Sequence, residues 1–421
     1  MARKRTGMAK KIRVGVLGIG RGQTFMHEAP HAGMELVAIC DIWKDRLADT
    51  GKKYNIATYT DYDRFLDHDM DAVVLANYFH EHAPFAIKAL KAGKHVMSEC
   101  AACNTLAEGV ALCRAVEQSG CIYMFAENYP YTAFNIEMAR LYREGEIGRV
   151  LYAEGEYNHP GSFDWGQGIS PGLKHWRNNL PATYYCTHSM APLMVITDTM
   201  PVRVNGFAVP LPEDSKKLRL WKQKDQGSVI MATMDNGAVF KLIQGGLPGH
   251  SIFYRLHGEF GLMENGRGPG YWGPGNVRVV HDEWELRKGQ VPEKIVYPKF
   301  PKWAVAGKSG HGGSDFFTNH YFAEAIRTGK QPYLNVYRGV AMSAIGILAW
   351  KSVLDKGNSY AVPDFTREAA RKKWANDTWR PMDLDDPKAP PVSSRGRKRE
   401  ILPEGLKRAQ RAWKKAGYNK C

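Results

Sequence analysis

The chain has 421 residues, 44% of them apolar or aromatic, which is enough material for two or three domains. It has no run of about 18 apolar residues, and its basic start lacks the apolar stretch of a secretion signal, so we expect a cytoplasmic protein without a membrane span. Its seven cysteines are widely spread, and Cys100 and Cys103 lack a second pair or histidines at zinc-like spacing. We therefore expect buried, reduced thiols and no metal.

The formal net charge of +15 is concentrated at the two ends. Residues 1–13 carry six Lys or Arg and no acid, and residues 387–421 carry eleven against two acids, so the body between them is neutral. A nucleic-acid enzyme would more often carry its basic stripe on the folded body, among stacking aromatic residues. We therefore expect solvated or subunit-contacting tails at 1–10 and 381–421, and no nucleic-acid partner.

The first part of the chain alternates short apolar strands with helical spacing. The predicted strands are Lys11–Leu17, Glu35–Cys40, Ala72–Ala76, His95–Ser98 and Ile122–Ala126. Helical spacing is clearest at Pro84–Ala92 and Ala107–Ser119. This alternation predicts an α/β domain over residues 11–149 with the doubly wound parallel sheet of a Rossmann fold.

Beyond residue 150 the pattern changes to strands without intervening helices. The predicted strands are Val150–Tyr157, Arg203–Phe207, Ser228–Met234 and Ala238–Ile243. Residues 261–313 are rich in Gly, Pro and Trp and predict long loops, and helices are predicted at Phe316–Thr328, Val340–Leu354 and Glu404–Ala416. The pattern predicts an α+β domain over residues 150–380 with an open, largely antiparallel sheet.

A glycine-rich turn follows the first strand. Gly18, Gly20 and Gly22 let a backbone turn tightly and approach a pyrophosphate at a helix N-terminus, although strict spacing would place the third glycine at Gln23. Asp41 ends the second strand, where a carboxylate accepts hydrogen bonds from the adenine ribose and repels a 2′-phosphate. Asp is also a common turn or N-cap residue, but in this register it predicts NAD rather than NADP.

The segment over residues 71–99 resembles the glucose–fructose oxidoreductase/inositol dehydrogenase (Gfo/Idh/MocA) family. The resemblance rests on Asp71-Ala-Val-Val-Leu-Ala, His82, Ala92-Gly-Lys-His-Val96 and Glu99. It extends over about residues 11–355 and implies a sugar-like substrate in the cleft between the two domains and a homodimer or homotetramer. The cofactor contacts that it implies are Gly18, Gly20, Arg21, Gly22, Gln23, Asp41, Asn77, His82, Glu99, Asn128, Trp176 and Arg177.

Two departures from that family narrow the resemblance. Where the family has Glu-Lys-Pro, this chain has Glu99-Cys100-Ala101, and Tyr184 stands at a family aspartate while His188 is kept. Both changes resemble the NAD-dependent α-N-acetylgalactosaminidase branch and related redox glycosidases. Further likeness to that branch lies in Glu127-Asn128, Tyr157-Asn-His159, Trp176-Arg177, Tyr185-Cys-Thr-His188 and Gly310-His311-Gly-Gly-Ser-Asp315.

The chemistry of these residues suggests oxidation of a sugar hydroxyl. His188 is our candidate base, with Tyr185 as its partner, and Tyr157, His159 and His311 are candidates for further acid or base positions. The leading hypothesis is a glycosidase that oxidises C3, eliminates the aglycone, adds water and reduces the sugar again. A simple sugar or polyol dehydrogenase and a non-catalytic NAD(H) sensor remain alternatives. Six tryptophans would suit stacking on sugar rings: Trp165, Trp176, Trp221, Trp272, Trp284 and Trp303.

Overall fold

The computed structural model describes residues 11–215, 220, 224–304, 309–397 and 400–418. The predicted N-terminal extension 1–10, Trp221 and Cys421 lie outside the described residues.

The N-terminal domain contains a parallel sheet, as predicted. Its strands are β1 (Ile12–Leu17), β2 (Met34–Cys40), β3 (Ala57–Tyr59), β4 (Ala72–Leu75), β5 (His95–Ser98) and β6 (Tyr123–Phe125). The order β3-β2-β1-β4-β5-β6 is that of a doubly wound dinucleotide-binding fold, with every adjacent pair parallel. The sequence analysis missed β3, because three residues are too few to show a period.

The helices of this domain are α1 (Gly22–Glu28), α2 (Lys44–Tyr54), α3 (Tyr62–Leu66), α4 (His82–Lys91) and α5 (Leu106–Ser119). The next helix, α6 (Ala133–Arg143), packs on elements of the second domain. Helix α5 shows why the local sequence determines the ends: Thr105 accepts a hydrogen bond from the Glu108 amide, and Gly120 ends the helix in a left-handed conformation. The carboxyl ends of β1, β2, β4 and β5 are thereby left free to face a ligand.

The second domain contains a mixed sheet. Its strands are β7 (Val150–Asn158), β8 (Pro201–Pro210), β9 (Asp225–Met234), β10 (Val239–Gly245), β11 (Ser251–Gly258), β12 (Gly261–Asn265), β13 (Val277–Val280), β14 (Glu293–Val296) and β15 (Tyr360–Ala361). The order is β14-β13-β12-β11-β7-β10-β9-β8-β15, and β10–β7 is a parallel pair in an otherwise antiparallel arrangement. The largely antiparallel sheet is confirmed. The prediction of long loops over 261–313 was wrong in part, because β12, β13 and β14 lie between the glycine-rich turns.

Helices also interrupt the strands of the second domain, contrary to the prediction. The remaining helices are α7 (Phe163–Gly168), α8 (Thr187–Thr197), α9 (Ser314–Thr328), α10 (Val336–Leu354), α11 (Glu368–Arg371) and α12 (Pro403–Lys415). No helical period marks α8 along the chain, because this helix is buried on nearly all sides. Among the described helices, none combines the length and apolarity that a membrane crossing needs.

The segment after residue 400 is folded, which corrects the expectation of a basic tail. Trp413 of α12 is 2% exposed, and its indole Nε1 donates to the side-chain oxygen of Gln167 in α7 over 3.0 Å. One face of α12 therefore belongs to the folded body. The described cysteines, Cys100 and Cys103 among them, are free and buried, as expected for structural thiols.

Candidate active site

The turn after β1 has the shape that a pyrophosphate requires. Gly18 has a φ of 89°, and a Cβ there would lie 2.4 Å from the Ala76 carbonyl oxygen. A Cβ on Gly20 would meet nothing within 4 Å, which leaves room for a ligand. A Cβ on Gly22 would lie 2.8 Å from Val16 Cγ1, so this glycine lets α1 pack on β1. In the usual pattern the third glycine, at position 23 here, allows the helix to pack on the strand. Gly22 allows this packing instead, so Gln23 need not be a glycine.

Two further groups at this edge suit a dinucleotide. Asp41 follows β2, and its carboxylate accepts hydrogen bonds from the amides of Ile19 (2.9 Å) and Trp43 (2.8 Å). This anchors the glycine turn to the end of β2, where the adenine ribose is bound in such folds. The side-chain amide of Asn77, after β4, is buried without a hydrogen-bond partner among the described residues. A buried polar group of this kind gains from a bound ligand, so the residues present fit NAD.

A charged network crosses from the N-terminal sheet to α9. The Arg21 guanidinium donates to Glu99 over 2.6 Å and to Asp315 over 2.8 Å. Asp315 also accepts hydrogen bonds from Asn128 Nδ2 (2.7 Å) and His311 Nδ1 (2.7 Å). Burial alone would raise the pKa of Asp315, but His311 and the Arg21 charge hold it well below its usual range. Three of the predicted site residues, Arg21, Asn128 and His311, thus meet at one buried carboxylate, and Glu99 joins them through Arg21.

The other predicted cofactor residues lie beside this network. His82 Nδ1 lies 2.8 Å from the carbonyl oxygen of Ala101, and burial lowers the pKa of this histidine. The ring of Trp176 stacks on Phe79 with centroids 5.1 Å apart. The Arg177 guanidinium lies over the same indole, 4.3 Å from its centroid. The Trp176 ring is therefore held by Phe79 on one side and by the Arg177 guanidinium, without a ligand.

His188 and Glu127 form a buried pair at the centre of the cleft. His188 lies in the first turn of α8, and its Nδ1 is 2.7 and 2.8 Å from the two carboxylate oxygens of Glu127, which follows β6. Burial alone would raise the pKa of the fully buried Glu127, but the His188 charge and hydrogen bonds keep it below its usual value. An ionised Glu127 places the Nδ1 proton toward itself, which leaves Nε2 as the free acceptor nitrogen.

Cys100 occupies the position of the family lysine and contacts the same carboxylate. Its Sγ lies 3.0 Å from Glu127 Oε2, and burial raises the pKa of the thiol well above its usual value. A neutral thiol therefore stands where the family has an ammonium group. The Cys100 sulfur, a Glu127 carboxylate oxygen and a His188 ring nitrogen lie within 4.8 Å of one another. Along the chain, Glu127 is 27 positions from Cys100 and 61 positions from His188. Thiolate, carboxylate and imidazole are also zinc ligands, a grouping that the sequence did not reveal.

Tyrosine rings surround the His188 imidazole. The Tyr129 ring stacks on it with 4.5 Å between ring centroids. Tyr157 and Tyr185 meet it edge-on, with centroid distances of 4.5 and 4.8 Å. Burial raises the pKa of the Tyr157 and Tyr185 phenols, so both stay protonated at neutral pH. The Tyr129 and Tyr271 hydroxyls lie 2.6 Å apart. The rings fix the orientation of the imidazole by packing it on several sides.

The remaining candidate histidines lie at the margin of this ring set. His159 contacts Tyr157 at 5.7 Å between centroids and stacks on Trp165 at 5.6 Å, with the planes 5° apart. Burial lowers the pKa of His159, and the neighbouring histidine charge adds to the effect, so the imidazole is neutral at pH 7. The centroids of the His311 and Tyr129 rings lie 6.4 Å apart. The structure thus places every predicted acid or base residue in one cleft.

Sequence reasoning named Trp272 as a stacking candidate but missed the neighbouring Tyr271. Both belong to the glycine-rich segment that was predicted as loop, and no periodic signal marks Tyr271. Trp272 packs 5.7 Å from Tyr129, which places it at the site. The tryptophans do not all serve one pocket: Trp284 is 81% exposed, and Trp303 packs 4.7 Å from His320 on α9. Trp284 and Trp303 are therefore not part of the expected surface for stacking on a sugar ring.

Comparisons with known proteins agree with this geometry. Residues 12–127 match the family described as oxidoreductase family, NAD-binding Rossmann fold, which carries the Gfo/Idh/MocA name. Residues 211–374 match the C-terminal domain of glycosyl hydrolase 109. The two matches lie on the two sheets that form the cleft.

Full-length relatives carry the same pairing of domains. A glycosyl hydrolase family 109 protein 1 from Bacteroides fragilis (strain YCH46) is 27% identical over 403 residues, 86% of each chain. One from Shewanella sp. (strain ANA-3) is 26% identical over 402 residues, 85% of this chain and 86% of the relative. A levoglucosan dehydrogenase solved with NADH and L-sorbose has the same fold, with a TM-score of 0.70 and 20% identity over 85% of this chain and all of that one. The chain is therefore an NAD-binding enzyme whose first domain is similar to the Rossmann domain of the Gfo/Idh/MocA oxidoreductases and whose second domain is similar to the C-terminal domain of glycosyl hydrolase 109.

Proposed function

We propose that this protein is a redox glycosidase that oxidises a sugar hydroxyl only transiently. In this proposal a glycoside binds between the NAD site and the aromatic rings around His188. The relatives named glycosyl hydrolase family 109 support a glycoside as the substrate. The observation that carries the proposal is the Glu127–His188 pair, because a thiol has replaced the family lysine beside it.

The first task of the chain is to remove the proton from the C3 hydroxyl. His188 Nε2 is the acceptor, since Nδ1 is held by Glu127 at 2.7 Å. When bound, NAD⁺ would supply the acceptor for the C3 hydride and the donor for its return, so that net oxidation over one cycle would be zero. The C3–H and O–H bonds break, and a C3 ketone forms, which acidifies the proton on C2.

The next steps need one base and one proton donor. His159, whose pKa is lowered by burial, is suited to remove the C2 proton. Tyr157, whose pKa is raised by burial, stays protonated and is suited to donate a proton to the leaving oxygen. The C1–O bond breaks as the C1=C2 bond forms. Water then adds to C1 and gives a proton to the Tyr157 phenolate, and C2 regains its proton from His159. C3 regains its hydride while its oxygen regains the proton from His188, which yields the free sugar beside the released aglycone.

This route does not use the paired carboxylates of common glycosidases. The buried carboxylates of the site are committed elsewhere. Glu127 binds His188 and Cys100, and Asp315 binds Arg21, Asn128 and His311. Neither is free to attack an anomeric carbon, which supports elimination over direct displacement.

The test is turnover of a panel of glycosides in deuterated water without added NAD⁺, beginning with an α-N-acetylgalactosaminide. We expect hydrolysis with deuterium incorporated at C2 of the product sugar. Hydrolysis with no deuterium at C2 would contradict the elimination route. Accumulation of NADH in step with sugar consumption would show a simple dehydrogenase instead, and binding of NAD(H) without any hydride exchange would show a sensor.

We also propose that the protein forms homodimers or homotetramers through the outer face of its second sheet. Leu151 of β7, Phe207 of β8 and Ile295 of β14 are each at least 50% exposed on that sheet. Exposed apolar side chains along an open sheet are typical of a subunit contact. Light scattering on the purified protein checks this, and a monomer at micromolar concentration would contradict it.

A further inference from the structure

A groove lies outside the ring set, between α7 and the C-terminal helix α12. Helix α12 is held in place by its buried face, since Ala409 is fully buried and Trp413 donates to Gln167. The opposite face lines a groove of about 430 Å³. The wall of this groove is therefore a fixed part of the protein.

The cations of this wall are aligned by the helical period. Arg408, Arg411 and Lys415 are spaced i, i+3 and i+7, which places them on one face of α12. Arg408 donates to both carboxylate oxygens of Asp164, over 2.6 and 2.9 Å, so this pair is neutral. Arg411 and Lys415 make no hydrogen bond or salt bridge in the part of the chain that the structure describes. Asp164 also interacts electrostatically with Arg411 and Lys415, which help to lower its pKa, so three cations share one carboxylate and the groove keeps a net surplus of two positive charges.

The groove is connected to the candidate active site by an aromatic side chain. Trp165 lines the groove and is 52% exposed, while its ring stacks on His159. His159 contacts Tyr157, and Tyr157 contacts His188 at 4.5 Å. The groove therefore borders the ring set on the side of His159.

We propose that this groove binds the leaving portion of the substrate, and that this portion is an acidic sugar bearing a carboxylate or a sulfate ester. The inference rests on the proposed glycosidase function. The charge of Arg411 and Lys415 complements such an anion, and the exposed Trp165 ring offers a flat apolar surface to a sugar ring. The chain thus selects glycosides by the charge of the departing residue.

The experiment uses three disaccharides with the same non-reducing sugar, whose reducing residue is glucose, glucuronate or glucose 6-sulfate. We expect kcat/KM of the wild-type enzyme to be about tenfold higher for the two acidic disaccharides, from two part-exposed charge contacts. Comparison of glucuronate with glucose 6-sulfate distinguishes the two sources of charge. The preference should fall at high salt, because these contacts are screened.

The double variant R411A/K415A should bring the ratio of acidic to neutral kcat/KM to about one. The matched control is K407A/K414A, which removes two positive charges from the same helix outside the groove. The control should keep the wild-type ratio. Equal loss of preference in both double variants, or no preference in the wild type, would overturn the proposal.

Calorimetric binding separates this inference from the proposed glycosidase function. If the enzyme cleaves no disaccharide, tighter binding of the acidic disaccharides that R411A/K415A abolishes would support the groove while the glycosidase proposal fails. Equal affinity for acidic and neutral disaccharides would overturn the groove. Displacement of the acidic disaccharide by a short DNA duplex, with the DNA binding more tightly, would assign the groove to nucleic acid and overturn it as well.

Discussion

The two walls of the cleft are built from different interactions. The wall on the NAD side is ionic, with Arg21 joining Glu99 at the end of β5 to Asp315 on α9. The facing wall is aromatic, with tyrosine rings around the Glu127–His188 pair. The ionic contacts hold α9 against the turn after β1. In the proposed function Glu127 orients the His188 imidazole for the chemistry, so losses on the two walls should affect different properties.

The largest effect is expected at the aromatic wall. His188→Ala removes the proposed base, and we expect kcat to fall by about 10²–10⁴-fold, the range of general base catalysis. NAD affinity should stay within about twofold of the wild type, because no cofactor contact is assigned to this residue. Steady-state kinetics and a fluorescence titration with NAD check the two parts. A fall of kcat below tenfold would place the base elsewhere.

Glu127→Gln tests the positioning of that base. The amide keeps the shape but loses the charge, so the Nδ1 proton of His188 is no longer directed, and we expect kcat to fall by about 10²-fold with KM little changed. Glu127→Asp should recover part of the activity, which a purely structural role would not explain. Equal activity of the Gln variant and the wild type would show that Glu127 only packs.

The ionic wall should respond in stability. Asp315→Asn removes the buried partner of Arg21, and we expect a loss of about 2–5 kcal/mol in the free energy of unfolding, with kcat changed less than on the aromatic wall. Urea denaturation measures it. The exposed pair of Lys88 and Asp63 is the control, and Asp63→Asn should leave stability unchanged. A fall in kcat as large as that of His188→Ala, with the free energy of unfolding unchanged, would contradict the assignment of stability to the ionic wall.

The lowered pKa of Asp315 predicts that the free energy of unfolding depends on pH. Because the folded pKa of Asp315 lies below its usual value of about 3.9, its contribution to stability is present above that value. It is lost as pH falls toward the folded pKa, since the unfolded state then binds the proton more readily. Asp315→Asn should therefore show a smaller loss of stability than the wild type between neutral pH and about pH 3.

The smallest effect is expected at the ribose end of the NAD site. Asp41→Asn keeps an acceptor for the Ile19 amide but removes the charge that disfavours a 2′-phosphate. We expect the preference for NAD over NADP to fall by about tenfold. Asp45→Asn, at an exposed position in α2, is the control. An unchanged preference in the Asp41 variant would mean that another group selects the cofactor.

The N-terminal domain was predictable because its information is local. Gly18, Gly20 and Gly22 stand between a strand and a helix, and Asp41 ends the next strand, so each could be interpreted from its own neighbours. The second domain was less predictable. Helix α8 carries His188 but is buried all round, and β12–β14 are too short and too glycine-flanked to show a clear period.

By itself the sequence determined the doubly wound sheet, the NAD turn, the family resemblance and the choice of His188 as a candidate base, because period, turn chemistry and motif spacing act within a few residues of each position. Only the tertiary structure decided that Glu127 joins His188 to Cys100, that Asp315 binds Arg21, and that α12 packs on α7. The physical reason is distance along the chain. Pairs separated by 27 to 294 positions meet through the packing of whole elements, and no local pattern records which elements will touch.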